Sequence, residues 1–251
     1  MSPIIIKTEE EISAMRASGA ITGELLRLIA DWIVPGITTA EIDRRAEDFI
    51  RSRGAVPAFK GLYGFPGTVC ASVNEEVVHG IPGERVLLEG DIVSIDTGAI
   101  WGGYFSDAAR TYPVGSVKPE VQKLVEETEK SFEAGVKLIK AGVRLGDVSH
   151  AIQTHAEKFG FGVVREYVGH GVGRKLHEPP DIPNFGKKGT GPVLQAGMTL
   201  AIEPMIALGK PGVRVLKDGW TAVTRDGLPC AHHENTVLVT VNGSEILTKA
   251  K

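Results

Sequence analysis

Apolar residues recur at the spacing of an α-helix in four separate stretches of the chain. The predicted helices cover residues 8–33, 38–54, 119–139 and about 147–159. Thr8 and Glu11 form a capping box at the start of the first helix, and Pro119 suits the first turn of the third. The helices therefore come in two pairs, one in each half of the chain.

Six shorter apolar runs, separated by glycine and proline, predict β-strands between and after the helix pairs. They cover residues 68–73, 91–100, 163–168, 198–206, 220–224 and 235–241. This order of elements predicts an α+β fold, and no low-complexity segment divides the chain. We therefore expect residues 1–251 to form one domain.

The two halves of the chain resemble each other. Residues 36–42 align with residues 142–148 at a shift of 106, and residues 86–96 align with residues 193–203 at a shift of 107. Chance similarity of strand-like segments is the simplest alternative, but two nearly identical shifts argue against it. We expect two pseudo-twofold-related halves, about 1–115 and 116–251, in which Asp96 and Glu203 occupy equivalent positions.

Composition narrows the class of protein. The 251 residues are 42% hydrophobic and 24% charged, as in ordinary globular proteins. A net charge of −3 predicts no basic surface for nucleic acid or an anionic membrane, and no apolar run approaches the ~20 residues of a membrane helix. No secretory signal opens the chain, and Cys70 and Cys230 form no C-x-x-C pair. A reducing cytoplasm is the expected location.

Four carboxylates and one histidine are candidate metal ligands. Three of them, Asp96, Glu203 and Glu234, lie in or at the ends of apolar, strand-like runs. A buried ionised carboxylate is costly unless it is neutralised, and these runs contain too few cations, so one or two divalent metal ions are the simplest explanation. Taken singly, Asp96 is also typical of a turn, Asp107 of a surface and His170 of a loop.

Five segments closely resemble bacterial-type (type I) methionine aminopeptidases. They are residues 74–82 (NEEVVHGIP), 91–96 (DIVSID), 167–173 (YVGHGVG), 200–205 (LAIEPM) and 217–220 (KDGW). The order Asp, Asp, His, Glu, Glu, with spacings of 11, 63, 33 and 31 residues, is specific, and the resemblance extends over essentially the whole chain. It implies the pita-bread fold, in which two halves of helices on a curved antiparallel sheet surround a dinuclear metal site.

The resemblance implies hydrolytic removal of the initiator methionine from nascent proteins and peptides with a small second residue. Asp96, Asp107, His170, Glu203 and Glu234 would hold two divalent ions, with Asp107 and Glu234 as bridges. Co, Mn, Fe(II) and Zn are the candidates, because the ligands are mostly oxygen. Two such ions activate a water for attack on the peptide carbonyl, and Glu203 would serve as its general base.

The resemblance also assigns two further histidines and a substrate pocket. His79 would contact the scissile amide nitrogen, and His177 the carbonyl oxygen or the developing gem-diolate. An apolar pocket for the methionine side chain would be lined by Phe59, Leu62, Phe65, Cys70, Leu176 and Trp220. Burial in the core explains any one of these six equally well. Departures from the family at Leu62, Phe105, Leu176 and Asn235 leave the pocket shape and the hydrogen bonds around the ligands open.

Two other functions stay open at this point. An X-Pro dipeptidase has the same fold and ligands but carries a large domain before the catalytic half, which we do not expect here because the first helix begins close to Met1. A catalytically silent peptide-binding relative typically loses ligands, and all five are retained. The expected partners are peptide and protein N-termini that start with methionine. Association with the ribosome is compatible with this function, but no basic patch in the sequence indicates it. The resemblance implies a monomer.

Overall fold

The computed structural model describes residues 3–249 as an α+β fold with antiparallel sheets. The helices are α1 (Glu9–Trp32), α2 (Thr39–Ser52), α3 (Pro119–Val136) and α4 (Leu145–Glu157). The strands are β1 (Val56–Pro57), β2 (Val69–Val73), β3 (Glu76–Val78), β4 (Ile92–Trp101), β5 (Tyr104–Pro113), β6 (Gly162–Val163), β7 (Gly169–Gly171), β8 (Glu178–Ile182), β9 (Thr199–Ile202), β10 (Met205–Ala207), β11 (Val213–Val215), β12 (Ala222–Thr224), β13 (Cys230–His232), β14 (Asn235–Val239) and β15 (Ser244–Ile246). None of the helices within residues 3–249 combines the length and the apolar character of a membrane-spanning segment.

In the first half, α1 and α2 pack against a sheet in which β4 pairs with β1, β2 and β5. The capping box at Thr8 and Glu11 is present, which satisfies two backbone N–H groups at the start of α1. The apolar faces of the helices meet the sheet, where Leu25, Ile29 and Val93 are fully buried. Each such side chain contributes about 1.5–3 kcal/mol by leaving water, so this face fixes the position of β4.

The second half repeats this design. The helices α3 and α4 pack against a five-stranded sheet in the order β15–β14–β9–β7–β8, with Ile152, Leu200 and Val237 buried between them. The sheets β13–β10–β6 and β11–β12–β3 complete the fold. The hydrophobic cores of the halves are separate clusters, as expected for two related units.

Residues aligned by the internal repeat make the same hydrogen bonds. The N–H of Gly36 donates to the carbonyl oxygen of Leu87 at 2.8 Å, and the N–H of Gly142 donates to Leu194 at 2.9 Å. These pairs are related by the shifts of 106 and 107 seen in the sequence. The equivalence supports two related halves, while their boundary near residue 115 stays a prediction.

The two halves join between β5 and β14. The N–H of Glu234 donates to the carbonyl oxygen of Ala109 at 2.9 Å, and the N–H of Ala109 donates back at 3.3 Å. One step further along, the Asp107 N–H donates to Thr236 Oγ1, whose hydroxyl donates to the Asp107 carbonyl oxygen, both at 2.9 Å. The two acids without a counterpart in the internal repeat, Asp107 and Glu234, thus lie on either side of this join.

Several predicted elements need correction. The strand expected at 198–206 is two strands, β9 and β10, because Pro204 has no N–H to donate to a ladder. The third helix ends at Val136, three residues before the predicted end, and the strand at 163–168 shrinks to Gly162–Val163. The strand β5 falls where no element was predicted, since its polar residues hide the alternation of a half-buried strand.

Candidate metal centre

A cavity of about 210 Å³ lies at the join between the halves. Every site residue predicted from the sequence lines it: Phe59, Leu62, Phe65, Cys70, His79, Asp96, Asp107, His170, Leu176, His177, Glu203, Trp220 and Glu234. Four further residues that were not predicted, Tyr63, Val78, Tyr167 and Val168, line it as well. Side chains up to 175 positions apart in sequence therefore meet at one place.

Two carboxylates come from neighbouring strands of the first half. Asp96 on β4 lies opposite Ala109 on β5, so Asp107 is one diagonal position away on the same face of the sheet. The hairpin register thus explains the spacing of 11 residues between the two acids. The alternative that Asp107 is an ordinary surface acid does not hold, because its side chain is buried.

His170 and Glu203 repeat this geometry in the second half. His170 on β7 lies opposite Ala201 on β9, and Glu203 follows two residues later on the same face. Glycines flank His170 because the strands approach closely: a Cβ on Gly169 or Gly171 would lie 2.3 Å from a backbone oxygen of the next strand. The two glycines therefore let the neighbouring strands approach β7 closely, while His170 between them carries its imidazole into the cavity.

The orientation of His170 leaves its Nε2 lone pair facing the acids. Its Nδ1 lies 2.8 Å from the carbonyl oxygen of Gly171, and because a carbonyl only accepts, Nδ1 carries the proton. Nε2 is 3.6 Å from Asp107 Oδ2 and 3.6 Å from Glu203 Oε1. A neutral imidazole held by a backbone carbonyl in this way is the usual form of a metal-binding histidine.

Burial sets the electrostatics of the cluster. It raises the pKa of Asp96 to about 7 and raises the pKa values of Asp107, Glu203 and Glu234 well above their usual range. The neighbouring acids raise the pKa of Asp107 further, because like charges disfavour ionisation. Burial also lowers the pKa of His170 to about 4, so this ring is neutral at pH 7. The protein alone thus disfavours four ionised carboxylates here.

The donor set fits divalent cations. Within residues 3–249, Asp96 Oδ1, Asp107 Oδ1 and Glu234 Oε1 are buried without a hydrogen-bond partner. Asp107, His170 and Glu234 offer ligand atoms within 4.8 Å of one another. Glu203, His232 and Glu234 form a second set by the same measure. Carboxylate oxygens with one imidazole suit first-row divalent metals.

The two histidines expected to contact substrate lie on the cavity wall. His79 follows β3 with a φ of +61°, a conformation that is strained for a residue with a side chain, and its ring meets Tyr167 edge-on at 5.4 Å. Burial lowers the pKa of His79 to about 4. His177 is exposed, and its ring contacts that of His170 at 4.4 Å and stacks on Tyr63 at 5.9 Å.

The six predicted pocket residues belong to one apolar cluster. Four of them, Phe59, Phe65, Cys70 and Leu176, are buried, and Leu62 and Trp220 pack against them. The rings of Phe65 and Trp220 meet edge-on at 5.2 Å. Cys70 on β2 lies opposite Asp96 on β4, so the apolar cluster adjoins the carboxylates.

Two residues beside the acids, the half-buried Arg110 and the buried His232, were not predicted. The guanidinium of Arg110 donates to the carbonyl oxygen of Glu234 and, at 2.7 Å, to Oδ1 of Asn235. His232 lies behind Glu203 and Glu234, outside the cavity lining. The sequence contains a signal for His232. Residues two positions apart in an extended chain point to the same face, and His232 stands two positions before Glu234.

Comparison with known proteins places the chain in a family. Residues 13–241 match metallopeptidase family M24, so the chain belongs to this family of metallopeptidases. Within the family it belongs with the methionine aminopeptidases. It is 54% identical over 248 residues to the methionine aminopeptidase of Clostridium perfringens, covering 99% of this chain and 100% of that protein.

Solved structures agree with this placement. The crystal structure of methionine aminopeptidase from Thermotoga maritima superposes with a TM-score of 0.97 at 52% identity, covering 98% of this chain and 100% of that one. The prolidase of Pyrococcus furiosus has a TM-score of 0.79 at 28% identity, and the match covers 98% of this chain but 66% of the prolidase. Both likenesses confirm the pita-bread fold predicted from the sequence.

Proposed function

We propose that this chain is a metal-dependent aminopeptidase that removes the N-terminal methionine from peptides and proteins with a small second residue. The observation that carries the proposal is the meeting of the Asp96–Asp107–His170–Glu203–Glu234 set with an apolar cluster in one cavity. High identity to methionine aminopeptidases over full length supports the same reaction. The substrate is then a peptide N-terminus, whose hydrolysis releases free methionine.

The five ligands would hold two divalent ions. By the family resemblance, Asp107 and Glu234, which lie on either side of the join, would contribute to both ions. Asp96 would contribute to one ion, and His170 and Glu203 to the other. When bound, such ions supply Lewis-acid chemistry and lower the pKa of water. The candidates stay Co, Mn, Fe(II) and Zn, since availability as well as affinity decides occupancy.

The protein side chains supply the proton transfer and orient the substrate. Glu203 is the general base: its carboxylate accepts the proton of the attacking water and passes it to the leaving amine. His177, at the edge of His170, is placed to donate to the substrate carbonyl oxygen, and the neutral His79 to contact the scissile amide nitrogen.

The apolar cluster supplies the specificity. Phe59, Phe65 and Leu176 present buried apolar surface beside the carboxylates, which suits an unbranched thioether that binds by dispersion. Cys70 and Trp220 add sulfur and aromatic surface on the same wall. A charged side chain in this pocket would lose its hydration without a partner.

The X-Pro dipeptidase alternative is less well supported. The prolidase of Pyrococcus furiosus shares the fold at lower identity, and about a third of its chain has no counterpart here. Association with the ribosome, a monomeric state and a cytoplasmic location stay predictions from the sequence.

A substrate panel under controlled metal loading tests the proposal. The protein is stripped with a chelator and titrated anaerobically with Co, Mn, Fe(II) or Zn, and methionine release is measured from a Met-Ala peptide and proline release from an Ala-Pro dipeptide. We expect the first reaction with at least one metal, and a loss of about 10²–10⁴ in kcat for Glu203→Ala. His170→Ala should lose metal as well as activity, and the exposed Glu157→Ala serves as the matched control. Cleavage of Ala-Pro without methionine release would contradict the assignment.

A further inference from the structure

His232 is a buried histidine that no other side chain satisfies. It is 1% exposed, and neither ring nitrogen has a hydrogen-bond partner within residues 3–249. Its backbone is held firmly, because Thr111 Oγ1 accepts from its N–H at 2.8 Å and donates to its carbonyl oxygen at 2.9 Å. A buried polar group without a partner is destabilising, so the position of this ring calls for an explanation outside folding.

The ring of His232 faces the two glutamates of the site. Its Nε2 lies 3.5 Å from Glu203 Oε2 and 3.9 Å from Glu234 Oε2. The shorter distance exceeds a good N–H···O hydrogen bond by about 0.5 Å, which a small rotation of either side chain removes. Of the two glutamate oxygens that lie within 4 Å of the ring, Glu203 Oε2 is therefore the nearer.

The two oxygens of Glu203 have different neighbours. Oε1 lies 3.6 Å from His170 Nε2, and Oε2 lies 3.5 Å from His232 Nε2. His170 has no proton on Nε2, because its Nδ1 donates to the Gly171 carbonyl. His232 has no such constraint, so its Nε2 is free to carry a proton and donate it. The Glu203 carboxylate thus lies between the Nε2 lone pair of His170 on one side and Nε2 of His232, which can donate, on the other.

We propose that His232 is a positioning residue for Glu203. Its Nε2–H donates to Oε2 and so turns Oε1 toward His170 and the cavity. A carboxylate that must both bind beside His170 and transfer a proton needs a fixed orientation, which a hydrogen bond to its outer oxygen provides. This inference rests on the proposed role of Glu203 as general base.

The same geometry offers a competing role. Glu203, His232 and Glu234 present ligand atoms within 4.8 Å of one another, which would also suit His232 as a direct metal ligand. The two roles differ in what can replace the imidazole. A glutamine amide donates a hydrogen bond to a carboxylate but is a weak ligand for a transition metal. A glutamine variant therefore separates positioning from ligation.

The test compares His232→Leu and His232→Gln with the wild-type protein, each loaded with Co(II). His233→Leu is the matched control, since this neighbouring histidine is also buried but packs its ring on Phe132 at 4.9 Å, away from the cavity. Four quantities are measured: resistance of the metal-free protein to urea, bound Co(II) per chain, the visible absorption of the Co(II) form, and kcat and KM for a Met-Ala peptide.

We expect His232→Leu to bind as much Co(II) as wild type and to keep its resistance to urea, because an apolar side chain suits a position that is 1% exposed. Its kcat should fall about 10- to 100-fold with KM nearly unchanged, and its Co(II) absorption should shift. His232→Gln should recover most of kcat, and His233→Leu should keep it.

Two results would overturn the proposal. Wild-type kcat and absorption in His232→Leu would show that the ring does not act on Glu203. Loss of one Co(II) in both His232 variants would make the residue a ligand instead. If wild type releases no methionine, the proposed function fails, and the absorption of the His232 variants still decides whether this ring orients the site.

Discussion

Lys7 and Glu178 form a buried ion pair that ties the N-terminal segment to the cavity wall. Lys7 Nζ lies 2.7 Å from Glu178 Oε2, and each side chain is 4% exposed. The other carboxylate oxygen of Glu178 accepts from the Lys175 N–H at 3.2 Å. Glu178 opens β8 directly after His177. The pair therefore holds the backbone on both sides of a residue that we assign to substrate contact.

Removing the lysine should destabilise the protein strongly. Lys7→Met leaves the Glu178 carboxylate buried without its partner, and we expect the free energy of unfolding to fall by about 3–5 kcal/mol in urea. Arg16→Met is the control, because Arg16 pairs with Glu245 on the surface, where both side chains are more than 40% exposed. That variant should lose no more than about 1 kcal/mol. Equal losses would mean that burial of the Lys7–Glu178 pair has no special consequence.

In the metal-free protein, the contribution of Asp96 to stability should be lost as pH rises from about 4 to 7. Burial raises the pKa of Asp96 to about 7, so the folded state holds a proton at this carboxyl that the unfolded chain has already released. Folding therefore binds a proton at Asp96 in this window, and the contribution of this residue is greatest at the acidic end. Urea unfolding of chelator-treated protein at several pH values measures the slope. Asp96→Asn should reduce it, and an unchanged slope would contradict the assignment to Asp96.

The same linkage predicts that metal affinity rises with pH. Cations displace the protons of Asp96 and its buried neighbours, so binding releases protons between about pH 5 and 7. Calorimetric titration with Mn(II) in buffers of different ionisation enthalpy counts the protons released. We expect more protons at pH 6 than at pH 8, and a count independent of pH would contradict protonated acids in the metal-free protein.

Tyr63 should influence the binding of residues beyond the methionine. Its side chain is 74% exposed at the cavity mouth, its ring stacks on His177, and its φ is +52°. Asn tolerates this backbone conformation, so Tyr63→Asn should leave stability nearly unchanged. Loss of the ring should raise KM for tripeptides and longer substrates about 2- to 10-fold, as expected for one aromatic contact. Tyr63→Phe is the control and should retain the wild-type KM.

Phe65 should determine the preference for methionine. Its ring is buried against Trp220 in the apolar cluster of the cavity, and Phe65→Ala should lower kcat/KM for a Met-Ala peptide by about 10- to 200-fold. Phe132→Ala removes an equally buried phenylalanine from the core of the second half. Both variants should lose about 3–5 kcal/mol of stability, but Phe132→Ala should keep kcat/KM below its melting temperature. Equal losses of kcat/KM would argue against a pocket at Phe65.

The sequence predicted secondary structure correctly where an element buries one face and exposes the other. The capping box at Thr8 and the apolar stripes of the four helices predict their positions to within a few residues, because each helix buries one face on a sheet. The prediction failed at β5, whose polar residues are satisfied by other segments. Thr111, for example, bonds the backbone of His232, which lies 121 positions away. Such partners do not register in a local pattern of hydrophobicity.

The candidate site was predictable to a different degree for each kind of residue. Asp96, Glu203 and Glu234 were detectable as charges in apolar runs, and the order and spacing of all five ligands resemble one family. The pocket residues were indistinguishable from core residues until the structure placed Phe59 and Leu176 beside the carboxylates. Tyr63 escaped prediction because its role depends on backbone conformation. His232 stands two positions before Glu234, which indicates a shared face, but the orientation of its ring depends on the tertiary structure.

The amino-acid sequence by itself determined the α+β class, the internal repeat and the set of candidate ligands, because hydrophobic periodicity and the cost of burying charge are local properties of the chain. Only the tertiary structure decided that Asp107 and Glu234 lie on either side of the join between halves. It also decided which nitrogen of His170 faces the acids and that the imidazole of His232 lies 3.5 Å from Glu203 Oε2. These facts depend on strand register and side-chain rotation across contacts between residues far apart in sequence.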